Sequence, residues 1–599
     1  MTEYTHEDEA LGKAYDHRLM MRLLRYLRPY RRHVLAAVAI LLADSGLQLL
    51  GPYIVKLAID GPIAAKDVRG LGWYALVYVG ALALQFFARY GEAIVTQWIG
   101  QKTICDLRLQ VHRHLLGRDL RFYDKNPVGR LLTRITSDVN VLNELFSSGV
   151  VVAFGDLFML VGIVVAMLYI DWKLAVVSFA AVPLLVWASL VFRHQARTAY
   201  REVRAKIAKL AAFLQEHITG MSVVQSFSQE NAVFTRHQTI NADLREANFR
   251  TILYYAVFYP VVELIGALSL ALIIGYGGGR VMAGGLTLGV LVAFIQYAEK
   301  FYGPIRDLSE KYNILQGAMA SSERIFKLLD TGSDVLRPEK PTIVEKVSGG
   351  VVFDHVWFAY ANEEWVLRDI SFTVRPGENI ALVGATGAGK SSIVSLINRF
   401  YEFQRGTITV DGFDIRAWNP EDLRRKIGLV LQDVFLFSGT IAENIRLGNP
   451  AIADETIRRC AHEIGADAFI ERLPGGYDHK IGERGTGLSF GEKQLLAFAR
   501  TLAADPPILI MDEATSSVDT EIERQIQRAL ARLLAGRTAM VIAHRLSTIR
   551  TVDRIMVLHK GQIREMGTHD ELLQQKGIYY RLYLLQYKDQ EQMVREHKA

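Results

Sequence analysis

Six long apolar runs constrain this chain more than any other feature of its sequence. They lie at approximately Val34–Ile59, Leu71–Ala88, Gly149–Ile170, Leu174–Phe192, Ile252–Tyr276 and Val281–Ala298. Each approaches the ~20 residues that cross a bilayer core as a helix. In hydrocarbon every backbone polar group needs an internal partner, which favours helices for such segments. A soluble protein can bury an isolated apolar helix, but six in succession imply a membrane domain. The composition agrees. Half of the 599 residues are hydrophobic and the mean hydropathy is +0.14, high for a soluble protein of this size. The runs therefore predict an all-α, six-helix transmembrane domain.

The net charge of +6 could by itself indicate nucleic acid or a membrane surface. Its distribution decides between them. Short connections follow runs one, three and five, such as Asp171-Trp172-Lys173 and Gly277-Gly278-Gly279-Arg280. The connections at 89–148 and 193–251 are long and basic. The first carries Lys102, Arg108, Arg113, Arg118, Arg121, Lys125, Arg130 and Arg134; the second carries Arg193, Arg197, Arg201, Arg204, Lys206 and Lys209. Lys/Arg excess marks the cytoplasmic side. The expectation is a multi-pass protein of the cytoplasmic (inner) membrane with both termini in the cytoplasm, and no nucleic-acid partner. Both long connections keep helical periodicity, as in Leu107, Val111 and Leu115. They reverse at Asp124–Gly129 and near Thr219-Gly220-Met221. Residues 1–32 alternate arginines with Leu19, Met20, Leu23, Leu24 and Leu27. This reads either as an amphipathic helix on the inner membrane face or as a solvated lead-in. Cys105 and Cys460 have no metal-ligand spacing and predict no disulfide framework.

Beyond the last run the chain changes character. The transmembrane domain is expected over 1–330, a Gly/Pro-interrupted linker over 331–350, an α/β domain over 351–587 and a charged tail over 588–599. Within the α/β domain lies a short apolar run that reads as a strand, Ile380–Val383. Gly384-Ala385-Thr386-Gly387-Ala388-Gly389-Lys390-Ser391 follows, then a helical pattern that includes Ser392. The spacing is G-x-x-x-x-G-K-[ST], a phosphate-binding loop. Glycines let successive N–H groups point into one concavity, and the helix adds its positive end. Lys390 can reach outer phosphates and the Ser391 hydroxyl can ligate Mg²⁺. A second apolar strand ends in Asp512-Glu513. It can place Asp512 near Mg²⁺ at the sheet's carboxyl edge and Glu513 beside an attacking water.

Leu488-Ser489-Phe490-Gly491-Glu492-Lys493-Gln494 resembles the signature sequence of ATP-binding cassette proteins. With the loop and Asp512-Glu513, and with six helices ahead of one such domain, the chain resembles a half-transporter of the multidrug/lipid exporter type. The likeness includes Phe122-Tyr123-Asp124, Pro127-Val128-Gly129 and the stretch Gly220–Phe227. It implies ATP and Mg²⁺ as ligands and several roles. Tyr360 would stack on adenine, Gln432 would touch Mg²⁺ and the water, and Asp519 would cross to the partner domain. His544 would contact the γ-phosphate, with Glu513 and His544 as the catalytic pair. Ser391, Gln432 and Asp512 would form the metal set, and Ser489 and Gly491 would serve the nucleotide held by a partner. Glu483-Arg484-Gly485 resembles the segment that couples to the cytoplasmic turns of exporters.

The family signature has glycine at 490 and glutamine at 492. Phe490 restricts the backbone, and Glu492 brings a carboxylate towards a triphosphate. The loop, Glu513 and His544 keep the full pattern. That combination favours a second, different half-transporter as partner, with a homodimer as the alternative. The expected function is ATP-driven efflux of an amphipathic or lipophilic substrate, whether small molecule, lipid or peptide. An importer or an ATP-gated membrane protein on the same fold is the alternative. Asp44, Gln48, Gln85, Arg89, Glu92, Glu263, Gln296, Glu299 and Lys300 are candidates to line a cavity, although Arg89–Glu92 and Glu299–Lys300 could also lie below the bilayer.

Overall fold

The structure, a computed structural model of the protein, describes residues 16–512, 520–543 and 546–586. It divides into two compact units. One comprises Met1–Leu116 and Gly129–Thr331; the other comprises Gly117–Val128 and Gly332–Ala599.

The described part of the first unit is all helix. It begins with α1 (His17–Arg25), α2 (Arg31–Ala58) and α3 (Val68–Leu116). It continues with α4 (Val150–Ile170), α5 (Trp172–Phe179), α6 (Val182–Thr219), α7 (Glu230–Leu272) and α8 (Leu288–Asp330). Among the described residues, four stretches are long and apolar enough to cross a bilayer: Arg28–Ile63, Val68–Leu116, Trp172–Thr219 and Glu230–Met282. The third and sixth expected runs are the apolar Phe154–Ile170 of α4 and the start of α8. Helix α3 has 49 residues, roughly 70 Å at the helical rise and over twice the hydrocarbon thickness.

Close packing between spans uses small residues and freed carbonyls. A Cβ on Gly162 of α4 would stand 2.4 Å from Leu49 Cδ1 of α2, the close approach that membrane helices favour. Pro52 lies inside α2 and has no N–H to give to the carbonyl four residues earlier. That carbonyl, on Gln48, accepts instead from Lys300 Nζ of α8 at 2.7 Å. The next one, on Leu49, accepts from Tyr297 Oη at 2.7 Å. Around them Ile163, Met167, Leu174, Phe294 and Tyr297 form a buried core.

Two expectations need correction. The turn between the fifth and sixth spans is not at Gly277–Arg280. Those residues stay helical, and the chain turns over 283–287, where Gly284 takes φ +72°. Gly277 is kept small by packing, since a Cβ there would meet Leu291 Cδ1 at 2.7 Å. The apolar face of α1 is not left for lipid either. Met20 and Leu23 are buried, and Arg22 lies over the Phe326 ring and pairs with Asp330 at 2.7 Å. Residues 1–15 and the tail at 588–599 lie outside the described residues.

The second unit contains an α/β fold. Its strands begin with β1 (Val351–Ala359), β2 (Trp365–Val374), β3 (Asn379–Val383) and β4 (Arg405–Val410). Next come β5 (Phe413–Asp414), β6 (Ile427–Val430), β7 (Gly439–Thr440) and β8 (Lys480–Ile481). The last four are β9 (Ile508–Asp512), β10 (Thr538–Ile542), β11 (Arg554–His559) and β12 (Gln562–Gly567). A six-stranded sheet runs β12-β11-β3-β10-β9-β6, parallel except for β12, and a second sheet runs β2-β1-β4-β5. The central strands are apolar on both faces, as a covered parallel sheet requires. Ile380 and Leu382 of β3 face one core with Ile508, Ile510, Met540 and Ile542. Ala381 and Val383 face the other with Leu509, Met511, Ala539 and Val541. The register pairs Ile542 with both Leu382 and Asp512, so the carboxyl ends of three strands lie side by side.

Candidate nucleotide-binding site

The phosphate-binding loop leaves the carboxyl end of β3 and enters a helix, α9 (Lys390–Ile397). Two positions accept only glycine. A Cβ on Gly384 would stand 2.4 Å from the Leu558 carbonyl oxygen. One on Gly389, at φ +104°, would stand 2.5 Å from Leu367 Cδ2. Gly389 is also the N-cap of α9 and supplies no side-chain acceptor. The first-turn N–H groups of a helix have no intrahelical partner, so this end is suited to an anion. Ala385, Thr386 and Gly387 are exposed, Ala388 is buried, and Ser391 is exposed on the first turn.

Lys390 is 8% exposed, and its Nζ donates to the loop carbonyls of Gly384 at 2.7 Å and Ala385 at 3.2 Å. Burial lowers its pKa, and the charge of Asp512 opposes that shift. The ammonium and the carboxylate are thus near enough to interact at the sheet edge. Asp512 ends β9 half-buried, and Gln432 is exposed just after β6. These oxygen ligands, with the Ser391 hydroxyl, suit Mg²⁺ in chemistry.

Tyr360 follows β1 and is 39% exposed. Its Oη lies 3.1 Å from Ser392 Oγ, and its ring meets Tyr401 edge-on at 5.0 Å. An exposed aromatic face beside the loop can receive a purine. Tyr401 in turn donates to Asp124 Oδ2 at 2.6 Å. Asp124 lies in α10 (Leu120–Lys125), a short helix from the first predicted turn. Asp119 accepts from Ser333 Oγ at 2.7 Å, Asp334 N at 2.6 Å, Val335 N at 3.3 Å and Phe122 N at 3.0 Å. Burial pushes the Asp119 pKa up, but these hydrogen bonds outweigh it and hold it below the usual carboxylate range. Residues 117–128 therefore group with the nucleotide-binding unit, whereas the sequence reading places them in the transmembrane domain, at a turn where a cytoplasmic motor would touch it.

Ser489 and Gly491 sit at the start of α11 (Phe490–Ala504). Phe490 is its first residue and is not at positive φ, so the restriction expected from replacing glycine is not realised here. Glu492 does something the charge argument missed. Its Oε2 accepts from Ser489 N at 2.8 Å and from Ser489 Oγ at 2.9 Å, within a reciprocal capping box. Ser-x-x-Glu ahead of a helix was the available signal. In Glu483-Arg484-Gly485, Arg484 has φ +56° and ψ +24°, an uncommon conformation for a side-chain-bearing residue. Glu513, Asp519 and His544 lie outside the described residues.

The family described as "ABC transporter transmembrane region" matches residues 34–305, and the one described as "ABC transporter" matches 367–516. The chain is similar to the "Uncharacterized ABC transporter ATP-binding protein YknV" of Bacillus subtilis (strain 168). The two are 39% identical over 588 residues, covering 98% of this chain and 97% of the relative. It is also similar to an "ATP-dependent lipid A-core flippase" of Syntrophus aciditrophicus (strain SB), 36% identical over 95% of each chain. Among solved structures it resembles a bacterial Atm1-family ABC exporter with ATP bound. That likeness has a TM-score of 0.75 and 30% identity, covering 93% of this chain and 98% of the other.

Proposed function

Because this chain belongs to the ABC exporters, multi-pass membrane proteins whose ATP hydrolysis is coupled to transport, we propose that it is one half of a dimeric exporter of an amphipathic or lipophilic substrate. The observation that carries the reading is the joining of apolar spanning helices to a glycine-constrained loop, with buried Lys390 facing Asp512 at one sheet edge. The basic connections support a cytoplasmic-membrane location with both termini inside.

In this reading the loop 384–391 and the start of α9 cradle the phosphates, and Lys390 exchanges its loop carbonyls for phosphate oxygens. Ser391, Gln432 and Asp512 would hold Mg²⁺, which neutralises phosphate charge when bound. Tyr360 stacks on the adenine. Glu513 accepts hydrogen-bonding from the water whose oxygen attacks the γ-phosphorus as the bond to the bridging oxygen breaks, and His544 contacts the γ-phosphate. Ser489 and Gly491 serve the nucleotide on the partner's loop, and Asp519 reaches across the dimer. Alternating access requires ATP to bind the closed pair more tightly than the open one.

A heterodimer remains the favoured pairing, and its support now rests on Glu492. The carboxylate occupies the hydroxyl expected to meet a triphosphate. The ordinary helical start at Phe490 supports the homodimer reading. The test is ATP hydrolysis by the assembled dimer in nanodiscs. Glu513→Gln should reduce turnover by about a hundredfold or more, within the range for general-base groups. A Glu513→Gln protein working at the wild-type rate would refute that role.

A further inference from the structure

Aromatic rings join the proposed adenine seat to the first cytoplasmic turn. Tyr360 is held by three neighbours. Its Oη lies 3.1 Å from Ser392 Oγ, and its ring meets Tyr401 at 5.0 Å and 90° and Phe358 at 4.7 Å and 76°. Near-perpendicular rings pair the positive edge of one with the negative face of the other, so each fixes the tilt of its neighbour. Phe358 is buried, and its ring lies 6.0 Å from that of Tyr401. The space left among Asp119, Arg121, Phe358, Tyr360 and Tyr401 is about 10 Å³, room for about one water. Rings packed this closely do not reorient one at a time.

Tyr401 is also held at its far end. Its hydroxyl donates to Asp124 Oδ2 of α10 at 2.6 Å, and a bond to an ionised acceptor is among the stronger kinds. Burial raises the Tyr401 pKa, and the Asp124 bond and charge raise it further, so the hydroxyl remains a donor at neutral pH. The Asp124 carboxylate has no second hydrogen-bond donor among the described residues. The described hydrogen bonds and ring contacts of Tyr401 and Asp124 do not include Lys390 or Asp512. The chain of contacts therefore starts at the base end of the site and not at its phosphate end.

We propose that Tyr401 is a positioning residue tying base stacking on Tyr360 to the order of the first cytoplasmic turn, which thereby reads the nucleobase and not the γ-phosphate. The inference rests on the nucleotide reading above and adds the group through which this turn senses occupancy. By linkage, whatever the Tyr401–Asp124 bond adds to base affinity, base stacking adds to the stability of the turn. ADP and ATP carry the same base, so both order the turn alike.

The test is hydrogen exchange at the amides of 123–126 in the full-length chain in nanodiscs. Saturating Mg²⁺ is supplied with ADP, with a non-hydrolysable ATP analogue or with inorganic tripolyphosphate. ADP and the analogue should each slow exchange about fivefold. Tripolyphosphate, which has phosphates and no base, should leave it unchanged. Tyr401→Phe keeps the ring and removes the hydroxyl. It should abolish the ADP effect, weaken ADP binding about fivefold and raise the KM of the assembled dimer for ATP by a similar factor, with kcat within about twofold. Asp124→Ala should match it, and the double variant should be no worse than either. Protection that requires the γ-phosphate, protection by tripolyphosphate equal to that by ADP, or additive losses in the double variant overturn the proposal. A chain that binds no ADP refutes the nucleotide reading and this proposal with it. One that binds ADP while α10 stays unprotected refutes this proposal alone.

Discussion

Glu492 and Asp119 are carboxylates with opposite consequences for function and stability. Glu492 accepts from the backbone and hydroxyl of Ser489, so its charge lies where a partner-held triphosphate is proposed to arrive. Replacing it with glutamine keeps an acceptor and removes the charge. Glu492→Gln should raise phosphate release by the assembled dimer roughly fivefold, about 1 kcal/mol of relieved repulsion. Unchanged steady-state turnover would remove Glu492 as the brake. Asp119 is stabilised as a carboxylate by four donors, so its folded pKa lies below the unfolded value. The linked stability is complete above about pH 4 and is lost as pH falls through the folded pKa. At neutral pH, Asp119→Asn should cost about 1–3 kcal/mol of local stability. Hydrogen exchange at the Asp334 and Val335 amides, corrected for intrinsic rates, should show that difference. The gap between variant and wild type should shrink below about pH 4.

At the scale of elements, the end of α2 and the residues just after it are closely fitted to the start of α8. Gly289 N donates to Asp60 Oδ1 at 2.8 Å, and Thr287 Oγ1 donates to Asp60 Oδ2 at 2.7 Å. A Cβ on Gly289 would stand 2.5 Å from the Lys56 carbonyl oxygen. Backbone cannot rotate aside as a side-chain terminus can, so Gly289→Ala should destabilise by about 1–3 kcal/mol. A thermal aggregation midpoint in detergent equal to that of wild type would count against this packing. Such joints explain what the sequence could and could not reveal. The spans were legible because hydrocarbon enforces long apolar runs, and β3 and its loop because phosphate binding enforces glycine spacing. The turn at 283–287 was not, because Gly277–Arg280 looks like a break until the packing of Gly277 against Leu291 is known. The cap at Ser489 was readable in principle, since Glu492 stands three residues after it at capping-box spacing. The grouping of 117–128 with the second unit was beyond local pattern, since it depends on Asp119 meeting residues far along the chain.

For the whole molecule, the decisive measurement is the native mass and ATP turnover of this chain purified alone in nanodiscs. If the heterodimer reading is right, the chain alone should turn over slowly and recover when a second half-transporter is supplied. A stable self-dimer with robust, Glu513-dependent hydrolysis would assign the homodimer instead. The kink in α2 has a consequence for how such a chain is made. Spans emerge from synthesis in order, and Pro52 leaves the Gln48 carbonyl without its helical donor from the moment α2 forms. Its donor in the folded structure, Lys300, is translated some 250 positions later. The first span therefore cannot reach its final state during its own insertion. It must be sheltered, by water or by provisional neighbours, until the sixth arrives. A nascent chain halted before residue 300 would carry that unmet carbonyl in the lipid, marking the protein as unfinished to the machinery that clears incomplete membrane proteins.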